Sequence, residues 1–252
     1  MSINKVAQDY GHGVNPDIGA VGIITEESVI NNIASHVDVQ LHDRGVEVVW
    51  TRPTSVSSVN DSLNQRISKA NANNVDLFIS HHANMAQGNG HEIWVIGLGG
   101  EAEAYAKKVD RALTKLGSNS RGVKVGNLAV LRGTNTPAIL IEYFFLDTQS
   151  NVDFYNRVGA YAYAKSVVRA ILGDEPQVEE HIIEENPIQY GTIKVNSVLN
   201  VRDGASTNSS IIGQLANGQK VKIDERYSTD IFYNIYYGNS GGFVHKDYVK
   251  LD

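Results

Sequence analysis

Two histidines and two glutamates stand where they could do chemistry together. Gly11-His12-Gly13 follows the apolar run Val6–Asp9, His81-His82-Ala83-Asn84 follows Asp76–Ser80, and Glu142 closes the run Ala138-Ile139-Leu140-Ile141. Glu27 lies just behind Thr25, a residue suited to cap the start of a helix. Two imidazoles and a carboxylate around an open fourth position form a catalytic zinc arrangement, in which the metal acidifies water and polarises a carbonyl while a further carboxylate moves the proton. His12, Glu27 and His82 are the expected ligands of one zinc ion, which leaves Glu142 for the proton. Only one of His81 and His82 faces a given site, because adjacent residues of a strand point to opposite faces. Glu142 has the strongest individual case, since an acid ending an all-apolar run is costly to bury without a purpose. The chain has no cysteine, so thiolate ligands and disulfides are excluded.

The elements that must position these groups can be read from periodicity. Val6–Asp9, Val46–Trp50, Asp76–Ser80, Glu92–Ile96 and Ala138–Ile141 are short runs rich in β-branched and aromatic residues, as strands are. Between them, helical spacing appears in Val29, Ile33 and Val37, in Leu63–Ala72, in Ala102–Leu116, and from Val158 to Leu172. Gly45 and Gly117 stand where the first and third helices should end. The alternation predicts an α/β domain, a mostly parallel sheet with helices on both faces, whose ligands bind beyond the carboxyl ends of the strands.

Charge divides the chain of 252 residues. Residues 1–173 carry 15 Lys and Arg against 16 Asp and Glu, residues 190–252 carry 7 against 6, and residues 174–189 carry six acids and no base. The acidic stretch, with Pro176 and Pro187, reads as a linker between a domain at 1–173 and a smaller one at 190–252. Neither flank has the basic, aromatic-laced stripe of a nucleic-acid surface, and no apolar run approaches the ~20 residues of a membrane span. The N-terminus lacks the features of a signal peptide, so synthesis in the cytoplasm without classical export is expected. Oligomeric state is not legible.

Several stretches follow one another in order: Asp9-Tyr10-Gly11-His12-Gly13, Glu27-Ser28-Val29-Ile30-Asn31, Val48-Val49-Trp50-Thr51-Arg52, Arg66-Ile67-Ser68-Lys69-Ala70-Asn71, Asp76 to Asn84, Arg121-Gly122-Val123-Lys124 and Pro137 to Glu142. In them the first domain resembles the zinc-dependent N-acetylmuramoyl-L-alanine amidases of bacterial cell-wall hydrolases and phage endolysins. The resemblance implies peptidoglycan as substrate, cut between N-acetylmuramic acid and L-alanine, with zinc on His12, Glu27 and His82 and with Glu142 as catalytic acid. It favours His82 over His81, two before Asn84, and Glu27 over Glu26, four before Asn31. Val14 and Tyr143 to Thr148 depart from the family pattern at positions that shape the groove. Arg132 is a weaker candidate for touching substrate.

From Tyr190 onward, short strand-like runs alternate with turns such as Asp203-Gly204 and Asn217-Gly218, which predicts a small all-β barrel. Leu199-Asn200-Val201-Arg202-Asp203-Gly204 with Gly213, Gly218 and Gly242-Phe243-Val244 resembles a bacterial SH3-like domain, which implies wall binding. Tyr233, Tyr236, Tyr237 and Tyr248 are, as a group, its candidate contacts, and His245 reads as a surface turn residue. Gly97-Leu98-Gly99-Gly100 lacks the ending of a phosphate loop. His36, His42 and His91 have no partner pattern, and His181 lies in the expected linker. The expected activity is that of a wall-targeted phage or prophage endolysin. Two alternatives are a wall-binding protein without activity and a zinc peptidase cutting within the stem peptide.

Overall fold

The computed structural model describes residues 3–173, 189–207, 209–224, 228–229, 231–237 and 241–252. The linker expected over 174–189 lies, apart from Gln189, outside the described residues. The chain divides into two compact units, Met1–Pro176 and Gln177–Asp252.

In the first unit the elements run β1 (Lys5–Tyr10), α1 (Glu26–His42), β2 (Glu47–Trp50), α2 (Val59–Ala72), β3 (Leu77–Asn84), β4 (His91–Val95), α3 (Glu101–Leu116), β5 (Ser120–Val125), α4 (Ala129–Gly133), β6 (Ala138–Phe145) and α5 (Gln149–Leu172). Thr25 caps α1 by accepting the Ser28 N–H, and Ser58 caps α2 by accepting that of Asp61. Gly117 ends α3 at φ 105°, a left-handed conformation that a side chain would strain. The sheet order is β2-β1-β3-β6-β4-β5. β2, β1, β3 and β6 are mutually parallel, while β4 runs antiparallel to β6 and carries β5 parallel to itself. The reversal arises where β3 passes to β4 without an intervening helix.

Alternation along each strand feeds two apolar layers. Val6, Leu77, Ile79, Ile93, Ile139 and Ile141 face α1, α3 and α5 in the larger core. Ala7, Phe78, Ala138 and Leu140 face the other way, onto Leu63, Ile67 and Ala70 of α2 and Val130 and Leu131 of α4. Helices therefore cover both faces of a largely parallel sheet, as the alternation of runs predicts. Among the described residues no helix is long and apolar enough to cross a membrane.

In the second unit β7 (Gln189–Ile193), β8 (Val198–Arg202), β9 (Ile211–Ala216), β10 (Lys220–Asp224), β11 (Phe232–Ile235), β12 (Gly242–His245) and β13 (Val249–Leu251) form one antiparallel sheet in the order β13-β7-β10-β11-β12-β8-β9. Its inward residues, among them Ile193, Val201, Leu215, Ile223, Ile235 and Val244, make a single core. Tyr233 and Tyr237 pack against that core, whereas Tyr236 and Tyr248 are exposed. The four tyrosines thus do not share one environment.

Candidate active site

The carboxyl ends of β1, β3 and β6 meet at one rim, and they deliver the loop of His12, then His82, then Glu142. Because β4 and β5 run the other way, it is their beginnings that reach this rim, with Glu92 and Arg121. Cross-strand pairing sets His82 beside Glu142 and Glu142 beside Glu92.

His12, His82 and Glu26 each offer a donor atom within 4.8 Å of the others. Glu26 is only 4% exposed. Its Oε1 lies 3.1 Å from His82 Nδ1 and 3.6 Å from His12 Nε2, and its Oε2 accepts the Ala20 N–H at 2.9 Å. The cluster therefore contains Glu26 where the sequence reading has Glu27. With Thr25 as cap, the two glutamates are the first and second residues of α1, about 100° apart around the helix axis. Glu26 turns under the rim, and Glu27 turns outward and is exposed, where its charge acts on Arg52.

His12 is held from behind. Its backbone is left-handed at φ 54°, between two glycines that neighbouring groups crowd. A Cβ on Gly11 would sit 2.3 Å from the His82 ring, and one on Gly13 would sit 2.6 Å from the Arg52 guanidinium. His12 Nδ1 is 2.7 Å from Asp17 Oδ1, which leaves Nε2 directed at Glu26 and His82. Asp17 is itself tied to Ser62 at 2.6 Å and to Arg66 at 3.4 Å. Arg66, 1% exposed, also donates to the His12 carbonyl at 2.7 Å, to the Tyr10 carbonyl at 2.6 Å and to Asp9 Oδ1 at 2.7 Å. Burial disfavours the charged forms of Asp9 and Asp17, but Arg66 and hydrogen bonds outweigh it at Asp9, as Ser62 and His12 do at Asp17, and both pKa values fall. This supporting shell is the part that sequence reasoning missed. Asp17 sits in a Pro- and Gly-containing loop, where an acid looks like an ordinary turn residue.

The two adjacent histidines have opposite fates. His81 points into the larger core between Tyr143 Oη at 2.7 Å and Gln8 Oε1 at 2.6 Å, and burial pushes its pKa down to about 3. His82 faces the site. Burial opposes its charge, yet the hydrogen bond to Glu26 and the charges of Glu142, Glu26 and Asp9 hold its pKa above the usual value. Glu142 is pushed up to about 7 by burial, with Glu26 and Glu92 adding and His82 opposing. Its Oε2 is buried and has no hydrogen-bond partner among the described residues. Arg132 is exposed on α4, donating to Asn127, and takes no part in the cluster.

These residues fit a zinc ion. Two imidazoles and a carboxylate match its preferred donors, and an outer carboxylate on the distal nitrogen of a ligand histidine is the usual second partner. The orphaned oxygen of Glu142 has what a proton carrier for water needs, a free lone pair shielded from solvent.

An α/β sheet with a His-His-Glu cluster compatible with a metal ion, and with a buried acid beside it at the same rim, is the framework of a hydrolase. Residues 6–173 match the N-acetylmuramoyl-L-alanine amidase family and residues 197–250 match the bacterial SH3 domain. The chain belongs to the N-acetylmuramoyl-L-alanine amidase family, as an amidase domain joined to a C-terminal bacterial SH3-like domain. An uncharacterized protein of Clostridium perfringens strain 13 is 30% identical over 234 residues, which cover 87% of this chain and 68% of that protein. The endolysin of Bacillus phage SPP1 is 26% identical over 264 residues, covering 88% of this chain and 96% of the endolysin. Among solved structures, the amidase AmiC2 of Nostoc punctiforme superposes with a TM-score of 0.59 at 28% identity, covering 68% of this chain and 96% of AmiC2.

Proposed function

We propose that the chain is a zinc-dependent peptidoglycan hydrolase of the endolysin type. Its catalytic domain spans 1–173, an acidic linker 174–189, and a wall-binding SH3-like domain 190–252. The observation that carries this reading is the His12–Glu26–His82 cluster beside the buried, unpartnered carboxylate of Glu142. The likeness to the SPP1 endolysin along nearly its whole length supports the endolysin assignment.

His12, Glu26 and His82 would hold the ion, which when bound supplies Lewis acidity toward the carbonyl and the water. Glu142 takes the proton of the attacking water. It then gives that proton to the departing nitrogen of L-alanine, which is a poor leaving group unless protonated. A pKa raised by burial suits both halves of this exchange. Asp17 and Arg66 keep the His12 loop in place while the acid works.

The zinc part of this reading is tested by metal analysis of the full chain together with lysis assays. One zinc per chain is expected, with lysis lost on chelation and restored by zinc. Full lysis after verified metal removal would overturn it.

A further inference from the structure

The sheet face that carries Glu142 continues past it. Glu92, 3% exposed, stands across from Glu142 on β4. On β5 two cations converge on one oxygen of Glu92, Arg121 through Nε at 2.5 Å and Lys124 through Nζ at 2.6 Å. Their side chains remain 41% and 31% exposed. One buried carboxylate needs one cation, so the trio keeps a surplus positive charge beside the catalytic acid. Arg121 uses only its Nε, and its two terminal nitrogens have no hydrogen-bond partner among the described residues. Both side chains are braced, Arg121 over the Phe145 ring at 5.1 Å and Lys124 over the Trp94 ring at 5.5 Å. A planar, braced guanidinium with two free donors next to an ammonium is suited to a carboxylate.

We propose that Arg121 and Lys124, organised by Glu92, form a subsite of the active site that binds a free carboxylate of the stem peptide about two residues beyond the bond cut. The proposal rests on the amidase reading and deepens it. Spacing agrees: an amide held between His82 on β3 and Glu142 on β6 lies two to three strand spacings from β5, roughly 12 Å. Two extended residues cover about 7 Å, and both side chains lean back toward β4 to close the gap. An acidic stem peptide thus lies across the rim, with its amide at the His12–Glu26–His82 cluster and its carboxylate on β5.

The test uses the zinc-loaded full chain and two N-acetylmuramoyl peptides of equal length, alike except that the carboxylate of the second stem residue is free in one and amidated in the other. Wild type should cut the free form with the higher kcat/KM. In Arg121→Gln and in Lys124→Gln the ratio of the two kcat/KM values should fall by about 10-fold, as for loss of a charged hydrogen bond, mainly through KM. Equal losses on both peptides, or a wild-type preference for the amidated form, would overturn the subsite. A shifted pH profile with an unchanged ratio would also overturn it, and would make the pair a setter of Glu142 through Glu92. If wild type cuts neither peptide, the amidase reading fails first.

Discussion

Replacing Glu26 by Gln should remove the metal, while replacing Glu27 by Gln should leave it. Glu26 Oε1 lies near His82 Nδ1 and the Ala83 N–H at 3.1 and 3.2 Å, and Oε2 accepts the Ala20 N–H at 2.9 Å. In Gln the amide nitrogen must occupy one of those places and there meets a donor, which costs about 1–3 kcal/mol of stability. The larger effect is on the ion. Structural zinc sites bind with about 10–16 kcal/mol shared among four ligands, or about 3 kcal/mol each, so loss of one charged ligand should weaken affinity by at least ~100-fold. Glu27 is exposed and its change should stay within ~2-fold, as for surface substitutions. Zinc titration of the metal-free full chains against a chromophoric chelator, with folding checked by circular dichroism, reads both numbers. The reasoning is refuted if Glu27→Gln loses the metal and Glu26→Gln holds it.

Glu142→Gln should hold zinc as wild type does yet turn over ~10²- to 10⁴-fold more slowly, since the amide keeps the shape but cannot take a proton; near-normal turnover would contradict its role. Asp17→Asn should weaken zinc binding by about 10- to 100-fold, because the outer carboxylate no longer fixes the His12 ring. Nitrogen NMR of His12 should show its tautomer preference lost, and unchanged affinity would count against the bracing. Burial pushes Asp38 up to about 6 despite hydrogen bonds from Tyr10 and Trp50. As its folded pKa exceeds the unfolded ~3.9, its contribution is fully present below about pH 4 and is lost as pH rises through about 6. Relative to Asp38→Asn, wild type should lose about 2 kcal/mol between pH 4 and pH 8 in urea melts, and parallel profiles would rule this out.

His12, His82 and Glu142 were legible because each stands at the end of a strand-like run, where a parallel sheet gathers its chemistry. Strand alternation also separates His81, among Tyr143 and Gln8, from His82. Glu26 and Glu27 could not be told apart in this way. Both sit in one helical turn, and alignment on Asn31 favours Glu27, whereas the rotation of α1, set by its packing through Val29, Ile33 and Val37, places Glu26 in the cluster. Arg121 to Lys124 stands among the stretches that carry the resemblance, but the position of Glu92 and Arg121 at this rim was hidden by the expectation that site residues lie at carboxyl ends, which fails once β4 and β5 reverse. β5 itself, Ser-Arg-Gly-Val-Lys-Val, is a polar edge strand with no apolar run to announce it, and α4 is too short to show a period.

The central claim is that this rim cuts the amide between N-acetylmuramic acid and L-alanine. Purified peptidoglycan digested with the full chain, with Glu142→Gln as control, can be assayed for new amino termini and for the mass of released fragments. The account predicts new N-terminal L-alanine and newly freed lactyl carboxylates on the glycan, both absent with the variant. New amino termini from within the stem peptide, or new reducing ends on the glycan, would contradict it.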